Sequence, residues 1–482
     1  RAARCNLRRR CPARGSRQHQ TIHAKTVPLD TTTEKLVTLA HALRFEDLTP
    51  VAIRAAKARI VSTIAVSLAA WHMEPVRIAR ALAQPVAAGP AARIYGSLVA
   101  TTPDMAAFVN SAMVRCLDMS DTYVMSAVSH PADAFSAVLA VAEAEKISGR
   151  DLLLATALIY ETQCRFVEVV PYNHHGWDQT PAVALGAAVG CARLLGLDAQ
   201  RTRHAISLAI TPNIALNQTR TGTLSMWKGM AGPQGARGGV FAAYLAREGM
   251  TGPDDIFEGK FGFWNQLMDG EKFNLPLPSS FANHTFAVQQ TMIKSFPTRF
   301  NCQVPVFTAQ KLRKMIDVND IASLKIESIR QAFQRWMDLP EIWKPETRET
   351  ADHSLPCTVA MGLIDGTITP AMMERNRFKD ADVLALMAKC KIELPDEFAD
   401  VAPAIRCCRL TATLKNGKTV VAETRRSLDD DVADPGWEQA VDKFHALAAP
   451  LLDAPRRAAL LQWVDALETQ PAAGGLLDLT RF

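Results

Sequence analysis

Two neighbouring stretches carry residue types suited to proton transfer. The first is Arg115-Cys116-Leu117-Asp118-Met119-Ser120-Asp121-Thr122, and Ser129-His130-Pro131 follows it closely. An imidazole and a carboxylate can move a proton to or from a substrate, and a threonine hydroxyl can donate a hydrogen bond. Aspartate is seldom fully buried unless it is paired, so two aspartates between apolar segments call for partners. Aspartate also caps helices, which leaves capping plus a surface histidine as the structural alternative. Asp118, Thr122 and His130 are the candidate catalytic groups. Asp121 is assigned to capping or support.

Three later stretches could complete such a site. The loop Pro171 to Thr180 holds His174, His175 and Asp178 beside Trp177. Histidine and aspartate are metal ligands, but adjacent histidines point in different directions, so no metal site is expected. Between Asn217 and Gly239, Arg220, Lys228 and Arg237 lie among six glycines. Glycine lets a backbone approach a ligand, and the cations can hold carboxylates. The structural alternative is a solvated basic loop leading into a helix over 238–247. Lys294 and Arg299 stand in Lys-Ser-Phe-Pro-Thr-Arg-Phe-Asn, where interdomain salt bridging is the alternative.

The elements that must position these groups are mostly helical. Residues 105–116 have Pro103 at the first helical position and apolar residues at helical spacing. Thr31-x-x-Glu34 reads as a capping box, and Thr49-Pro50 opens an alanine-rich helix reaching Trp71. Further helices are expected over 134–145, 151–165, 181–195 and 201–210, punctuated by Gly149 and Gly196. No βαβ alternation and no G-x-G-x-x-G after a strand is present, which argues against a nucleotide-binding Rossmann fold. After about residue 280 the pattern changes. Residues 322–329 and 408–414 read as strands, Asn416-Gly417 as a hairpin turn, and 304–315 and 353–365 as helices. That is an α+β module, expected to be a small antiparallel sheet with helices on one face. Residues 435–467 are helical again.

Composition narrows the function classes. The 482 residues are 48% hydrophobic and 21% charged, ordinary for a globular enzyme. A net charge of +5 is small for this length and argues against a nucleic-acid binder, which should show a basic face or stripe. No apolar run approaches the ~18 residues of a membrane span. The ten cysteines include no C-x-x-C, which fits a reducing compartment and offers no iron–sulfur ligand set. Residues 1–27 are arginine-rich and acid-free, and read as a disordered or non-native basic extension. A transit peptide would look similar, so the cytoplasm is expected, with a mitochondrial matrix as the alternative.

The motif L-D-x-x-D-T followed by S-H-P, between alanine-rich helices, resembles the MmgE/PrpD family. Gly176-Trp177-Asp178-Gln179-Thr180, Met226-Trp227-Lys228-Gly229, Lys294-Ser295-Phe296-Pro297 and Asp352-His353-Ser354-Leu355-Pro356 agree with it in order. The resemblance implies a mainly α fold. An all-helical domain (28–280), completed by C-terminal helices (437–482), carries an inserted α+β lid (281–436). It also implies a homodimer and an active-site lysine at Lys228. Three positions depart from relatives. Asp178 and Gln179 stand where a histidine often follows the Gly-aromatic pair, leaving His174 or His175 to substitute. Arg299 and Asn301 replace a histidine, and Cys357 replaces a tyrosine typical of decarboxylases.

Together these readings point to a cofactor-independent hydro-lyase, 2-methylcitrate dehydratase-like, taking a small polycarboxylate by proton abstraction next to a carboxylate. Asp118, Thr122, His130 and Lys228 would be catalytic. His174, His175, Asp178, Arg220, Lys294 and Arg299 would bind substrate. No metal, nucleic acid or membrane is expected. An epimerase or decarboxylase on the same scaffold, or a non-catalytic family member, is the alternative.

Overall fold

The structure is a computed structural model, and it describes residues 30–330, 339–399, 401, 405–427 and 436–482. The expected basic extension, residues 1–27, lies outside the described residues.

The chain starts as a run of helices: α1 (Thr31–Ala42), α2 (Pro50–Ala69), α3 (Glu74–Leu82), α4 (Pro103–Cys116), α5 (Ala132–Ala144), α6 (Gly149–Val169), α7 (Thr180–Leu194), α8 (Ala199–Ile210) and α9 (Ala231–Arg247). Their N-termini follow the sequence logic. Thr49, Ser148 and Asp198 each cap a helix by accepting a backbone N–H, and Pro sits in the first turn of α2, α4 and α7. The capping box at Thr31 is not formed. Asp30 is the cap, accepting from the Thr33 N–H, and Glu34 instead pairs with Arg203.

The α9 helix begins seven residues before the expected Gly238. Its glycines serve packing. A Cβ at Gly235 would stand 2.6 Å from the Thr180 carbonyl, and one at Gly239 would stand 2.4 Å from the Ala187 Cβ. Those clashes would push α9 off α7, so this stretch of glycines admits a neighbouring helix where a ligand was expected.

Two two-stranded hairpins interrupt the helices, β1 (Ala92–Arg93) with β2 (Ala100–Thr101) and β3 (Tyr123–Val124) with β4 (Val128–Ser129). A four-stranded sheet comes later, ordered β6 (Cys390–Glu393), β5 (Ile321–Ser328), β7 (Ile405–Leu414), β8 (Thr419–Ser427). The Asn416-Gly417 turn joins β7 to β8, with Gly417 at φ 84°. The sheet is mixed, whereas an antiparallel one was expected, because β6 runs parallel to β5. The helices Phe300–Arg313 and Leu355–Asp365 pack with this sheet in a common core that includes Val306, Leu312, Leu324, Met361 and Leu410. A larger core unites α1–α9 with Ala440, Phe444, Leu460 and Val464 from the C-terminal helices. The fold is mainly α with small sheets.

Candidate active site

Thr122 and His130 meet because of a minimal hairpin. The register of β3 and β4 sets Tyr123 opposite Ser129, so Thr122 and His130 flank the pair one step further out. The Thr122 hydroxyl lies 3.1 Å from His130 Nδ1, and the Asp121 carbonyl lies 2.8 Å from the same nitrogen. A carbonyl only accepts, so these partners assign the proton to Nδ1 and leave Nε2 with its lone pair. His130 is 6% exposed. Burial, followed by the positive charges of Arg115 and Lys294, pushes its pKa well below the ordinary histidine value. The imidazole is therefore neutral at neutral pH.

The Asp118 carboxylate is held from several sides. Its φ of 50° places it in the left-handed region that aspartate tolerates, directly after α4 ends. Arg115, one helical turn back, donates to Oδ1 at 2.7 Å, and Lys294 donates to the same oxygen at 2.6 Å. Lys228 lies 3.1 Å from Oδ2. Lys294 arrives because Met292 exchanges backbone hydrogen bonds with Thr122. Burial works to raise the Asp118 pKa, but Arg115, Lys228, Lys294 and His353 outweigh it and hold the carboxyl well below the usual range. The reverse holds for Lys294. Burial, assisted by Arg115 and Lys228 and opposed by Asp118, brings it down to about 8.

Lys228 sits beneath this layer. It is 2% exposed and donates to both oxygens of Asp352, at 2.6 and 2.8 Å. Asp352 is also hydrogen-bonded to His353. Burial and then the Lys228 charge push His353 down to about 3.

Above the layer is a cavity of about 220 Å³. Arg115, Asp118, His130, His174, Asp178, Gln179, Arg220, Lys294, Arg299 and His353 line it, with Asn173, Asn217 and Asn301. On one wall Arg220 donates to Asp178 at 3.1 Å, and the Thr219 hydroxyl does so at 2.6 Å. Burial tends to raise the Asp178 pKa, but Arg220 and these hydrogen bonds keep it lowered.

The structure thus gathers Asp118, His130, His174, Asp178, Arg220, Lys294 and Arg299 around one cavity. Thr122 touches His130 from behind, and Lys228 supports Asp118 without lining the space. His175 stands apart, 3.1 Å from Asp269. Asp121 accepts from the Ala132 N–H at 3.1 Å, which caps α5. Sequence reasoning missed Arg115, Asp352 and His353 as site residues. Arg115 was legible, since a basic residue three before an aspartate at a helix end makes an i,i+3 pair. Asp352 and His353 stood in a quoted motif but received no role.

Among the described residues, Asp118, Asp352 and His353 form the one trio whose ligand atoms lie within 4.8 Å of one another. A divalent cation there would have to displace the Lys228 ammonium from both carboxylates. No helix among the described residues is long and apolar enough to cross a membrane. The geometry presents a neutral imidazole and a depressed-pKa lysine facing one cation-lined space.

Comparison with known proteins agrees on the family and divides on the reaction. Residues 34–276 match the MmgE/PrpD N-terminal domain and residues 296–469 the MmgE/PrpD C-terminal domain. The chain is 26% identical to cis-aconitate decarboxylase of Homo sapiens over 461 residues, covering 91% of this chain and 92% of the relative. It is 27% identical to 2-methylcitrate dehydratase of Cupriavidus necator over 358 residues, 69% of this chain and 72% of the relative. The 2-methylcitrate dehydratase of Escherichia coli (strain K12) is also 27% identical, over 62% of this chain and 64% of its own length. With both domains matched in order over most of its length, the chain belongs to the MmgE/PrpD family.

Proposed function

We propose that this protein is a lyase that removes water from a small hydroxylated polycarboxylate, as a 2-methylcitrate dehydratase does, without a cofactor. The observation that carries the reading is the neutral His130 beside Arg115 and Lys294 at a cavity also lined by Arg220 and Arg299. His130 Nε2 takes the proton from the carbon next to a substrate carboxylate. Nearby cations stabilise the enolate-like charge that develops. The electron pair then forms the carbon–carbon double bond as the carbon–oxygen bond breaks. Lys294, at about 8, supplies the proton that lets hydroxide leave as water. Base and acid are thereby set apart by their surroundings. Asp118 orients Lys294 and keeps it charged. Residues 281–436 act as a lid over the substrate, and two copies form a homodimer.

A decarboxylase reading draws on the human relative, which spans most of the chain, and would pass through a similar carbanion. Cys357, standing where such relatives tend to carry tyrosine, weighs against it. The test is incubation of the purified protein with hydroxy-tricarboxylates and cis-aconitate in deuterated water, followed by NMR. Alkene from a hydroxy acid supports the proposal. Carbon dioxide release makes the protein a decarboxylase, deuterium exchange or inversion makes it an epimerase, and silence across the panel favours a non-catalytic member.

A further inference from the structure

We infer that Gln179 and Asp133 form a positioning pair that fixes the backbone carrying His130. This rests on the reading of His130 as the base. Gln179 is 2% exposed and lies at the N-terminal end of α7. Its Oε1 accepts from the His130 backbone N–H at 2.9 Å and from the Ser129 hydroxyl at 3.1 Å. A backbone N–H only donates, so the orientation of the amide is determined. The Nε2 end therefore points to Asp133 and donates to Oδ2 at 3.0 Å.

Asp133 lies in the first turn of α5, fully buried, and its own N–H donates to the His130 carbonyl. The pair thus grips His130 from both sides of its backbone, directly at the carbonyl and through Gln179 at the N–H. Space has been kept for it. A Cβ at Gly232, near the start of α9, would fall 2.1 Å from Asp133 Oδ2 and 3.1 Å from Gln179 Nε2. Only glycine there leaves the hydrogen bond room.

A fixed backbone matters because the Nδ1–H bond to the Asp121 carbonyl selects the tautomer. If residues 129 and 130 drift, that bond loosens and Nε2 is no longer held as the unprotonated nitrogen. The carboxyl suits this role more than a catalytic one. Burial, opposed by Arg115 and reinforced by Asp121, raises it to about 7. Its Oδ1 has no hydrogen-bond partner among the described residues, and Asp133 does not line the cavity.

The test reads His130 in the ligand-free protein, so it is independent of whether any substrate is turned over. ¹⁵N-histidine labelling and NMR report the tautomer, with the signal assigned by its loss in His130→Gln. Wild type should show a single Nδ1–H tautomer. Gln179→Leu removes the acceptor at the His130 N–H and the donor facing Asp133, and should give a tautomer mixture. The double variant Gln179→Glu with Asp133→Asn restores the hydrogen bond with donor and acceptor exchanged, and should return the wild-type signature. Asp133→Ala is the second single variant and should also give a mixture, should Gln179→Leu fail to fold. An unchanged His130 signal in a folded single variant, or a swap that does not restore it, overturns the inference. Activity that fails while the tautomer responds as described would instead refute the reading of His130 as the base.

Discussion

Replacing Lys228 by Met separates a supporting role from a substrate-binding one. Methionine keeps most of the side-chain volume, so the change removes a charge and little packing. In the wild type the ammonium serves two buried carboxylates, Asp352 at 2.6 Å and Asp118 at 3.1 Å. Asp118 retains Arg115 and Lys294, whereas Asp352 retains only His353 among the ion pairs of the described residues. Removing one partner of a buried pair costs about 3–5 kcal/mol, against ~0–1 kcal/mol for an exposed one. The loss at pH 8 should therefore be about 3–5 kcal/mol.

The sign with pH follows from the carboxylates. Asp118 and Asp352 are held below their ordinary values, so their stabilisation is present above the usual carboxylate range and lost as pH falls through their folded pKa. Without Lys228 the folded variant relieves the orphan charge by binding one proton, on Asp352 or on His353. Its deficit should then shrink as pH falls below the pKa of that proton, by up to about 1.4 kcal/mol per pH unit. Urea unfolding followed by circular dichroism at pH 8, 7, 6 and 5.5 measures this. A deficit below ~1 kcal/mol at pH 8, or one that grows on acidification, would refute the reasoning.

His130→Ala should reduce kcat by roughly 10²-fold or more if the imidazole transfers the proton, with a native circular dichroism spectrum at the assay temperature as the control. Asp121→Asn should cost less activity than His130→Ala, because Asp121 acts through a cap and a carbonyl. The profile of kcat/KM should decline above pH about 8 as Lys294 loses its proton, and should stay high below pH 6.5 because His130 resists protonation. Lys294→Arg should lower kcat/KM and abolish the alkaline limb, because a guanidinium keeps its proton and cannot give it to the leaving group. Prolonged dialysis against a chelator should leave activity intact, and metal-dependent recovery would implicate the trio of Asp118, Asp352 and His353.

Much was readable from local pattern. The helix start at Thr49, the break after Cys116 and the Asn416-Gly417 hairpin follow from capping, proline and turn chemistry acting over a few residues. The ordered motifs were enough to point to the family. The sequence also named most of the ionisable residues of the cavity wall, because charged residues flanked by apolar helices have few uses besides pairing and binding.

What the chain alone left open depends on contacts between distant segments. Whether Lys228 lines the cavity or props up Asp118 is decided by Asp352, which lies 124 residues away. The glycines from Gly222 to Gly239 looked like a ligand loop, yet Gly235 and Gly239 admit α7, and only the approach of two helices reveals that. His174 and His175 are adjacent in sequence, but one reaches the cavity and the other meets Asp269. The sequence by itself determined which residues carry charge, roughly where most helices lie and that acid–base chemistry is available. Tertiary structure decided which charges neutralise one another and which face the empty space, because burial makes each ionised group depend on partners supplied from elsewhere in the chain.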